Sequence, residues 1–584
     1  MKKKMKRLKQ ILISAIIIVS SSGCNNDFLD LKPQDAVSEA NVWQDLNLIE
    51  LYVNDRYNEL PHGFPQWAGG LRMTGITDES YHMHEARFLD KYTQGGLTSG
   101  SLNMYYFNGF WLDAYSAIRN NNIFLENIAL YSGEEVERVK QLTAEIRFLR
   151  AYFYTELISR YGGVPLIKET FSLDSNFDVP RASFEECVEF IVEELDLAIQ
   201  DLPNKNEAVE LEFGRITKGA AIGLKIRALL FDASPLFNIS NDQSKWQLVS
   251  DACEELFNLS QYSLSTDYKG LFLNAMDPEV IFFKQFIDQY GFELVDVLSD
   301  FYFHYRGGHS IDEWRFPNGD GGWISENPRQ EFIDQYETTS GVIPVLGYTG
   351  TNPNNLTPII NPNATNYNPG NPYQNRDPRL RYSVLYDGTV FKGRQLEFWN
   401  GGKDSRNTDV DFWWNGSVLG YGIRKSLDES WELNAGVASD QPWIYMRLAE
   451  FYLTYAEAQY HLNNFSTAVE YVNRVRSRTG VNMPPINASG DLLAKIKHER
   501  KIELAFEGNR WYDARRWMDA ENDFAKDIVG VEVVRNPSNG SKSYRYFYFE
   551  GGTGKRSFPA YHYLWPIPIE EILKSNLEQN PGYN

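Results

Sequence analysis

Three carboxylates at four-residue spacing, Glu499, Glu503 and Glu507, stand among Arg500, Arg510, Arg515 and Arg516 and form the most charged motif in the 584-residue chain. Glycosidic acid–base chemistry needs two carboxyl groups facing each other across a cleft. Positions i, i+4 and i+8 instead stack along one helix face. The motif therefore reads as glutamate–arginine pairing that ties helices together, with Glu507 and Arg510 as one partly buried pair. Arg376-Asp377-Pro378-Arg379 reads the same way, as charge fixing a loop. His82-x-His84-Glu85 is the only close histidine pair. On a strand both imidazoles share a side, but a metal needs one or two further ligands, and the sequence points to none. A Gly-rich phosphate loop, a Gly-x-Ser-x-Gly elbow and a Cys-x-x-Cys pair are all missing, so the common nucleotide, acyl-transfer and redox chemistries lack support. No catalytic residue, metal or cofactor is assigned.

Aromatic residues say more. Seven of the fourteen tryptophans (Trp314, Trp323, Trp399, Trp413, Trp414, Trp431, Trp443) fall between Phe301 and Trp443, about a quarter of the chain. A neutral sugar presents a face of C–H groups that stacks on an aromatic ring, and hydroxyls that need amide, carboxylate or guanidinium partners. Trp323 follows Asp320-Gly-Gly and Trp314 follows Asp312-Glu, both in loops beside polar groups. Trp67, between Pro65-Gln66 and Gly69-Gly70, sits in an earlier loop of the same kind. Trp413 and Trp414 are adjacent, so on a strand one of them points outward.

The elements that must hold these residues are mostly helical. Apolar residues recur at helical spacing over 41–60 and 110–130, and most clearly at Leu142, Ile146, Leu149, Phe153 and Leu157. Ser132 with Glu135 fits a capping box at the start of that helix, and Tyr161-Gly162-Gly163-Val164-Pro165 stops it. Further helices are expected over 183–202, 218–231 and 246–256. From 301 to 443 Gly, Pro, Asn and aromatics dominate without a sustained period, the signature of long loops with short strands. Helical periodicity returns over 445–518, and 531–534 and 544–549 read as strands. Ala456, Ala468, Val472 and Val475 match the packing positions of a tetratricopeptide helix pair, which needs neighbouring pairs to bury its second face. The expected fold is mostly α, with tetratricopeptide-like repeats over about 41–260 and 445–518 as scaffold. A loop-rich region over about 301–443 and an N-terminal loop over about 61–108 complete one domain.

The first residues read as a signal peptide over 1–23: Lys2, Lys3, Lys4, Lys6, Arg7 and Lys9, then apolar Ile11 to Val19, then small residues ahead of Cys24. The apolar run is about half the ~20 residues a spanning helix needs, and small residues running into Cys24 favour lipidation there. Cleavage of six basic residues takes the formal net charge from −21 to −27, which disfavours nucleic acid and anionic surfaces. The two remaining cysteines, Cys187 and Cys253, lie in helical stretches and read as buried apolar fillers.

Six segments in order resemble the SusD/RagB outer-membrane nutrient-binding lipoproteins of Bacteroidetes: Cys24-Asn-Asn-Asp-Phe-Leu-Asp-Leu-Lys-Pro33; Glu145-Ile-Arg-Phe-Leu-Arg-Ala-Tyr-Phe-Tyr154 with Tyr161-Gly-Gly-Val-Pro-Leu166; Arg376-Asp-Pro-Arg-Leu380; Met446-Arg-Leu-Ala-Glu-Phe-Tyr-Leu-Thr-Tyr-Ala-Glu-Ala458; Glu499-Arg-Lys-Ile-Glu-Leu-Ala-Phe-Glu-Gly-Asn-Arg-Trp-Tyr-Asp513; and Asn580-Pro-Gly-Tyr583. The resemblance implies a non-enzymatic protein, lipid-anchored at the outer membrane and exposed to the outside. It would bind oligosaccharides and deliver them to a SusC-like TonB-dependent transporter. It also implies that Tyr81, in an N-terminal loop, joins Trp67, Trp314, Trp323, Trp413 and Trp414 at the ligand, while Trp511, Trp517 and Trp565 belong to the core. The alternatives are a surface glycoside hydrolase, the same fold binding peptides or another nutrient, and a scaffold that binds only protein.

Overall fold

The structure is a computed structural model that describes residues 42–61, 73–83, 89–100, 108–172, 174–175, 177–207, 214–286, 316–405, 416–432, 441–549 and 555–583. Ten helices of eight residues or more lie within them: α1 (Leu46–Asn58), α2 (Asn108–Asn127), α3 (Val136–Tyr161), α4 (Phe184–Asp201), α5 (Lys218–Ala233), α6 (Gln243–Asn258), α7 (Leu448–His461), α8 (Phe465–Arg476), α9 (Leu492–Glu503) and α10 (Asn509–Arg516). Each of α2 to α5 packs on the helix that follows it, α6 packs on α7, and α7 packs on α8 and α9. This is the repeat-like helical scaffold expected, and its strands are few and short.

Burial on two faces explains why α7 needs neighbours. Ala449, Leu453 and Ala456 pack with Ala468, Val472 and Val475 of α8 and with Leu492 and Ile496 of α9. Leu448, Phe451, Tyr455 and Ala458, on the other side of α7, join the large core shared with α3 to α6. In α3, Leu142, Ile146, Leu149, Phe153 and Leu157 are all buried. Gly162 ends that helix at φ 74°, and a Cβ on Gly163 would stand 2.1 Å from the Ala182 carbonyl oxygen, so both glycines are required.

The Ser132/Glu135 capping box does not form. Glu135 is itself the N-cap of α3 without a side-chain cap bond. Its carboxylate is taken by the Tyr131 hydroxyl, and Ser132 Oγ donates to Gln44. A capping box does form one helix later, where Ser183 and Glu186 satisfy each other's backbone N–H at the start of α4. The two patterns are equivalent in sequence. At the first, a tyrosine one turn away competes for the glutamate.

The loop-rich region is an insertion between α6 and α7, and two strands clasp its ends. The chain leaves the helices along β2 (Val280–Lys284) and returns along β6 (Trp443–Arg447), antiparallel to it. Between them lie β3 (Glu326–Pro328), paired with the earlier β1 (Ser80–His82), and the ladder of β4 (Val345–Thr349) with β5 (Thr357–Ile360). The later hairpin β7 (Val529–Arg535) and β8 (Lys542–Tyr548) packs onto this insertion.

Period-two alternation sends Val529, Val531 and Val533 of β7 and Tyr544, Tyr546 and Tyr548 of β8 to one face. There Val529, Val531 and the three tyrosines meet Phe332, Tyr336, Tyr348, Tyr373 and Tyr421 in a second core rich in tyrosine. Asp334 is buried in it. Tyr348 Oη donates to its Oδ2 at 2.7 Å and Gln330 Nε2 to its Oδ1 at 2.9 Å. Burial raises its carboxyl from 3.8 to about 7, against the opposing pull of Arg376 and those two hydrogen bonds.

Candidate functional site

The charged motif is structural. Glu499 Oε1 accepts from Arg379 at 2.6 Å and Oε2 from Arg476 at 2.6 Å. Glu503 accepts from Arg379 at 2.9 Å, Arg447 at 2.7 Å and Arg478. Glu507 accepts from Arg447 at 2.7 Å and Lys425 at 2.6 Å. Burial pushes Glu499 and Glu507 up, but their arginine and lysine partners outweigh it and hold both at about 2. Such groups stay ionised at neutral pH and have no proton to give.

Arg379 also grips Asp377 at 2.7 Å, so the Arg376–Arg379 run fixes its loop as expected. The expected Glu507–Arg510 pair is not made: Arg510 instead bonds Asp78 at 2.8 Å and Asp523. Glu507 follows the end of α9 and points toward the insertion, whereas Arg510 is on α10.

The exposed face of the β7–β8 hairpin carries a different chemistry. Alternation places Glu532 opposite Arg545 and Gly530 opposite Phe547. A Cβ on Gly530 would lie 2.6 Å from the Phe547 ring, so the missing side chain lets that ring lie across the strand. The loop 397–405 is pinned alongside by a hydrogen bond from Asn400 N to Val533 O at 2.8 Å. Asn400 Nδ2 reaches Glu532 at 3.2 Å, and Arg545 is ion-paired to the same carboxylate. Trp399 lies under the Arg535 guanidinium, 4.9 Å from the ring centroid.

Asp404, fully buried, holds the far end of this loop. It accepts two hydrogen bonds at 2.7 Å from Arg394, which also grips Asp320, together with the backbone N–H of Gly319 and Glu397.

The third wall is the turn at 417–420. Asn327 Oδ1 accepts from Val418 N at 2.6 Å and from Ser417 Oγ at 2.8 Å. Gly420 has φ 85° and approaches the Val531 carbonyl so closely that a Cβ would be 2.4 Å from its oxygen. These walls enclose a cavity of about 500 Å³ whose lining includes Asn354, Phe398, Asn400, Glu532, Arg545 and Phe547. Two aromatic rings, two amides and a matched ion pair within one cavity suit a ligand with C–H faces and hydroxyls.

Two of the expected ligand residues are described. Tyr81 is in β1 opposite Asn327. It is 3% exposed and packs behind the turn with Leu419, Ile528 and Phe549, its ring 4.9 Å from that of Phe549. Trp323 is half-buried just before β3, and the residue after it, Ile324, has φ 40°, a strained conformation for a β-branched side chain.

Trp67, Trp314, Trp413 and Trp414 lie outside the described residues, as do Cys24, His84 and Glu85. The described residues next to four of the undescribed segments do meet at the cavity: Ser405 and Ser417 line it, Met83 and Phe549 pack with Val418, and Phe316 packs with Phe398.

Phe398, Asn400, Arg545, Phe547 and Asn354 are new relative to the sequence reading. The alternation Ser543, Arg545, Phe547 against Tyr544, Tyr546, Tyr548 was the available signal for two of them. Among the described residues, no group of three or more His, Cys, Asp or Glu is placed to hold a metal, and no helix is long and apolar enough to cross a membrane. Cys187 and Cys253 are buried and unbridged.

A helical-repeat scaffold that presents an inserted, loop-built cavity defines a class of binding proteins. The chain belongs to the SusD family, whose family model matches residues 278–583. Residues 27–230 match a second family described as starch-binding associating with outer membrane. SusD-like protein P25 of Formosa agariphila is 22% identical over 99% of this chain and 100% of its own length. A SusD-like protein of Bacteroides ovatus is 24% identical over 87% of this chain and 82% of its own. Among solved structures, a SusD-like protein of Bacteroides fragilis superposes with a TM-score of 0.74 at 27% identity, covering 94% of this chain and all of that one. The surface glycan-binding protein A of Bacteroides thetaiotaomicron shares the fold, with a TM-score of 0.62 at 18% identity over 92% of this chain and 100% of that one.

Proposed function

We propose that this protein is a cell-surface binder of oligosaccharides, lipid-anchored through Cys24, that delivers its ligand to a SusC-like TonB-dependent transporter in the outer membrane. The observation that carries the reading is the hairpin cavity, where Phe547 offers a stacking face, with the largely buried Phe398 in the wall, beside Asn354, Asn400 and the Glu532–Arg545 pair. Sugars need that mixture, and peptides recognised along a strand edge do not. Trp413 and Trp414 belong to the segment between the cavity-lining Ser405 and Ser417, and with Trp323, Trp314 and Trp67 they would extend the platform, while Tyr81, buried behind the turn, backs its wall. The ion-paired state of Glu499 and Glu507, which leaves them no proton to give, supports a reading of binding without turnover. Relatives named as glycan-binding or carbohydrate-binding proteins support the same class of ligand.

A glycan array run beside a peptide panel tests the reading. Glycan hits should weaken several-fold in Phe547→Ala and in Trp323→Ala, since one aromatic contact is worth about 0.5–1.5 kcal/mol beyond area burial. Peptide hits alone, or steady hydrolysis of a bound glycan, would overturn it. The anchor is tested by fractionation: Cys24→Ala should leave the outer membrane in cells that lack the transporter, because one polypeptide without acyl chains has no comparable attachment.

A further inference from the structure

A second cavity of about 320 Å³ lies where the clasp meets the helices, lined by Asn54 and Tyr57 of α1, Arg215 before α5, and Phe283, Lys284 and Gln285 at the end of β2. Lys284 Nζ donates to the carbonyls of Asn58 at 3.1 Å and Leu60 at 2.6 Å, closing the C-terminal end of α1 as a cation does there. An ammonium has three donors; the Phe286 ring centroid lies 5.9 Å from Nζ, and among the described residues no acceptor takes the third. Among the described residues no carboxylate neutralises this charge, and burial draws the ammonium down to about 8. Arg215, by contrast, is matched: it bonds Glu145 at 2.7 Å and Asn54 Oδ1 at 2.6 Å. Among the described residues, then, no carboxylate meets the Lys284 charge, which stands beside Phe283 and Gln285, whose Nε2 donates to the Phe286 carbonyl at 2.8 Å. Exposed Asn54 and Asn58 form a rim open to solvent.

We propose that this cavity is a binding site for a small carboxylate with a C–H face, the chemistry of a uronic acid or a compact organic acid. The carboxylate takes the third Lys284 donor and neutralises the ammonium. The C–H face lies on Phe283. The site is separate from the hairpin cavity and stands or falls without it.

Calorimetric titration of the full chain with D-glucuronate tests this, with D-glucose (the ring without the charge) and acetate (the charge without the ring) as further arms. Glucuronate should bind at millimolar concentration and glucose should not. Acetate binding as well as glucuronate would keep the carboxylate site and assign it to small organic acids. Lys284→Met should lower glucuronate affinity about tenfold or more, the worth of a charge-assisted hydrogen bond. Because Lys284 also closes α1, Gln285→Glu is the second variant. It adds a competing carboxylate at the rim, removes the Gln285 Nε2 bond to the Phe286 carbonyl but leaves the Lys284–carbonyl bonds in place, and should give the same loss of affinity with the fold retained. Absence of glucuronate binding, equal binding of glucose, or undiminished binding in Gln285→Glu would overturn the proposal.

Discussion

Replacing Asp334 by asparagine should stabilise the protein in alkali and do little in acid. The carboxyl is 3% exposed, shares the tyrosine core with Tyr348 and Tyr546, and is raised from 3.8 to about 7 chiefly by burial. The folded state therefore holds this proton more tightly than the unfolded chain does. The stabilisation is complete below pH 3.8 and is lost as the pH rises through about 7. A tenfold change in proton affinity is worth about 1.4 kcal/mol, so the whole effect is on the order of 4 kcal/mol, of which about 3 kcal/mol falls between roughly pH 5 and pH 8.5.

Asparagine has no proton to lose and is close in shape. Its oxygen can accept from Gln330, and its amide can donate to the Tyr348 hydroxyl, which accepts as readily as it donates. Urea unfolding of both proteins at the two pH values reads the effect. The stability of Asp334→Asn relative to wild type should rise by about 3 kcal/mol on going to the higher pH. Other groups that titrate in this range, such as Glu79, raised to about 8 by burial first, cancel in that difference. An equal gap at both pH values would refute the reasoning.

Glu503→Ala should cost about 3–5 kcal/mol in the urea midpoint by leaving Arg379, Arg447 and Arg478 without their shared counter-ion. Glu507→Ala and Arg510→Ala should each destabilise, and the double variant should lose roughly the sum, because their partners are different residues; a strongly sub-additive double variant would mean a pair after all. Gly420→Ala should cost more than about 1 kcal/mol, from positive φ and the clash with the Val531 carbonyl, and should weaken glycan binding along with the melt.

The helical half of this fold was legible because burial follows period. Leu142 to Leu157 and Ala456 to Val475 repeat at helical spacing, and their burial obeys it. The same spacing rule identified the glutamate motif as a structural face, yet could not name its partners. Arg379, Arg447 and Arg478 come from other elements, and only tertiary packing chooses Lys425 over Arg510 for Glu507. The cavity was less legible for a related reason. Asn354, Phe398 and Phe547 meet through a loop pinned by Asp404, a hairpin and a turn held by Asn327, contacts between residues up to about two hundred positions apart that no local pattern encodes. Tryptophan enrichment located the region. Its neighbour Phe398, a commoner residue, gave no such signal.

The clasp has a consequence for how such proteins diversify. Lys284 and Trp443 are cross-strand partners, so the 158 residues between them, 285–442, begin and end side by side. A segment with adjoining ends can be lengthened, shortened or exchanged without altering the path of the helices on either side. The constraint lies in the electrostatic weld. Glu337, Arg379 and Lys425 of the segment bond Arg476, Glu499, Glu503 and Glu507 outside it. A chimera that swaps the segment but keeps Glu337, Arg379 and Lys425 should fold, whereas one that swaps it and loses them inherits unpaired buried charge.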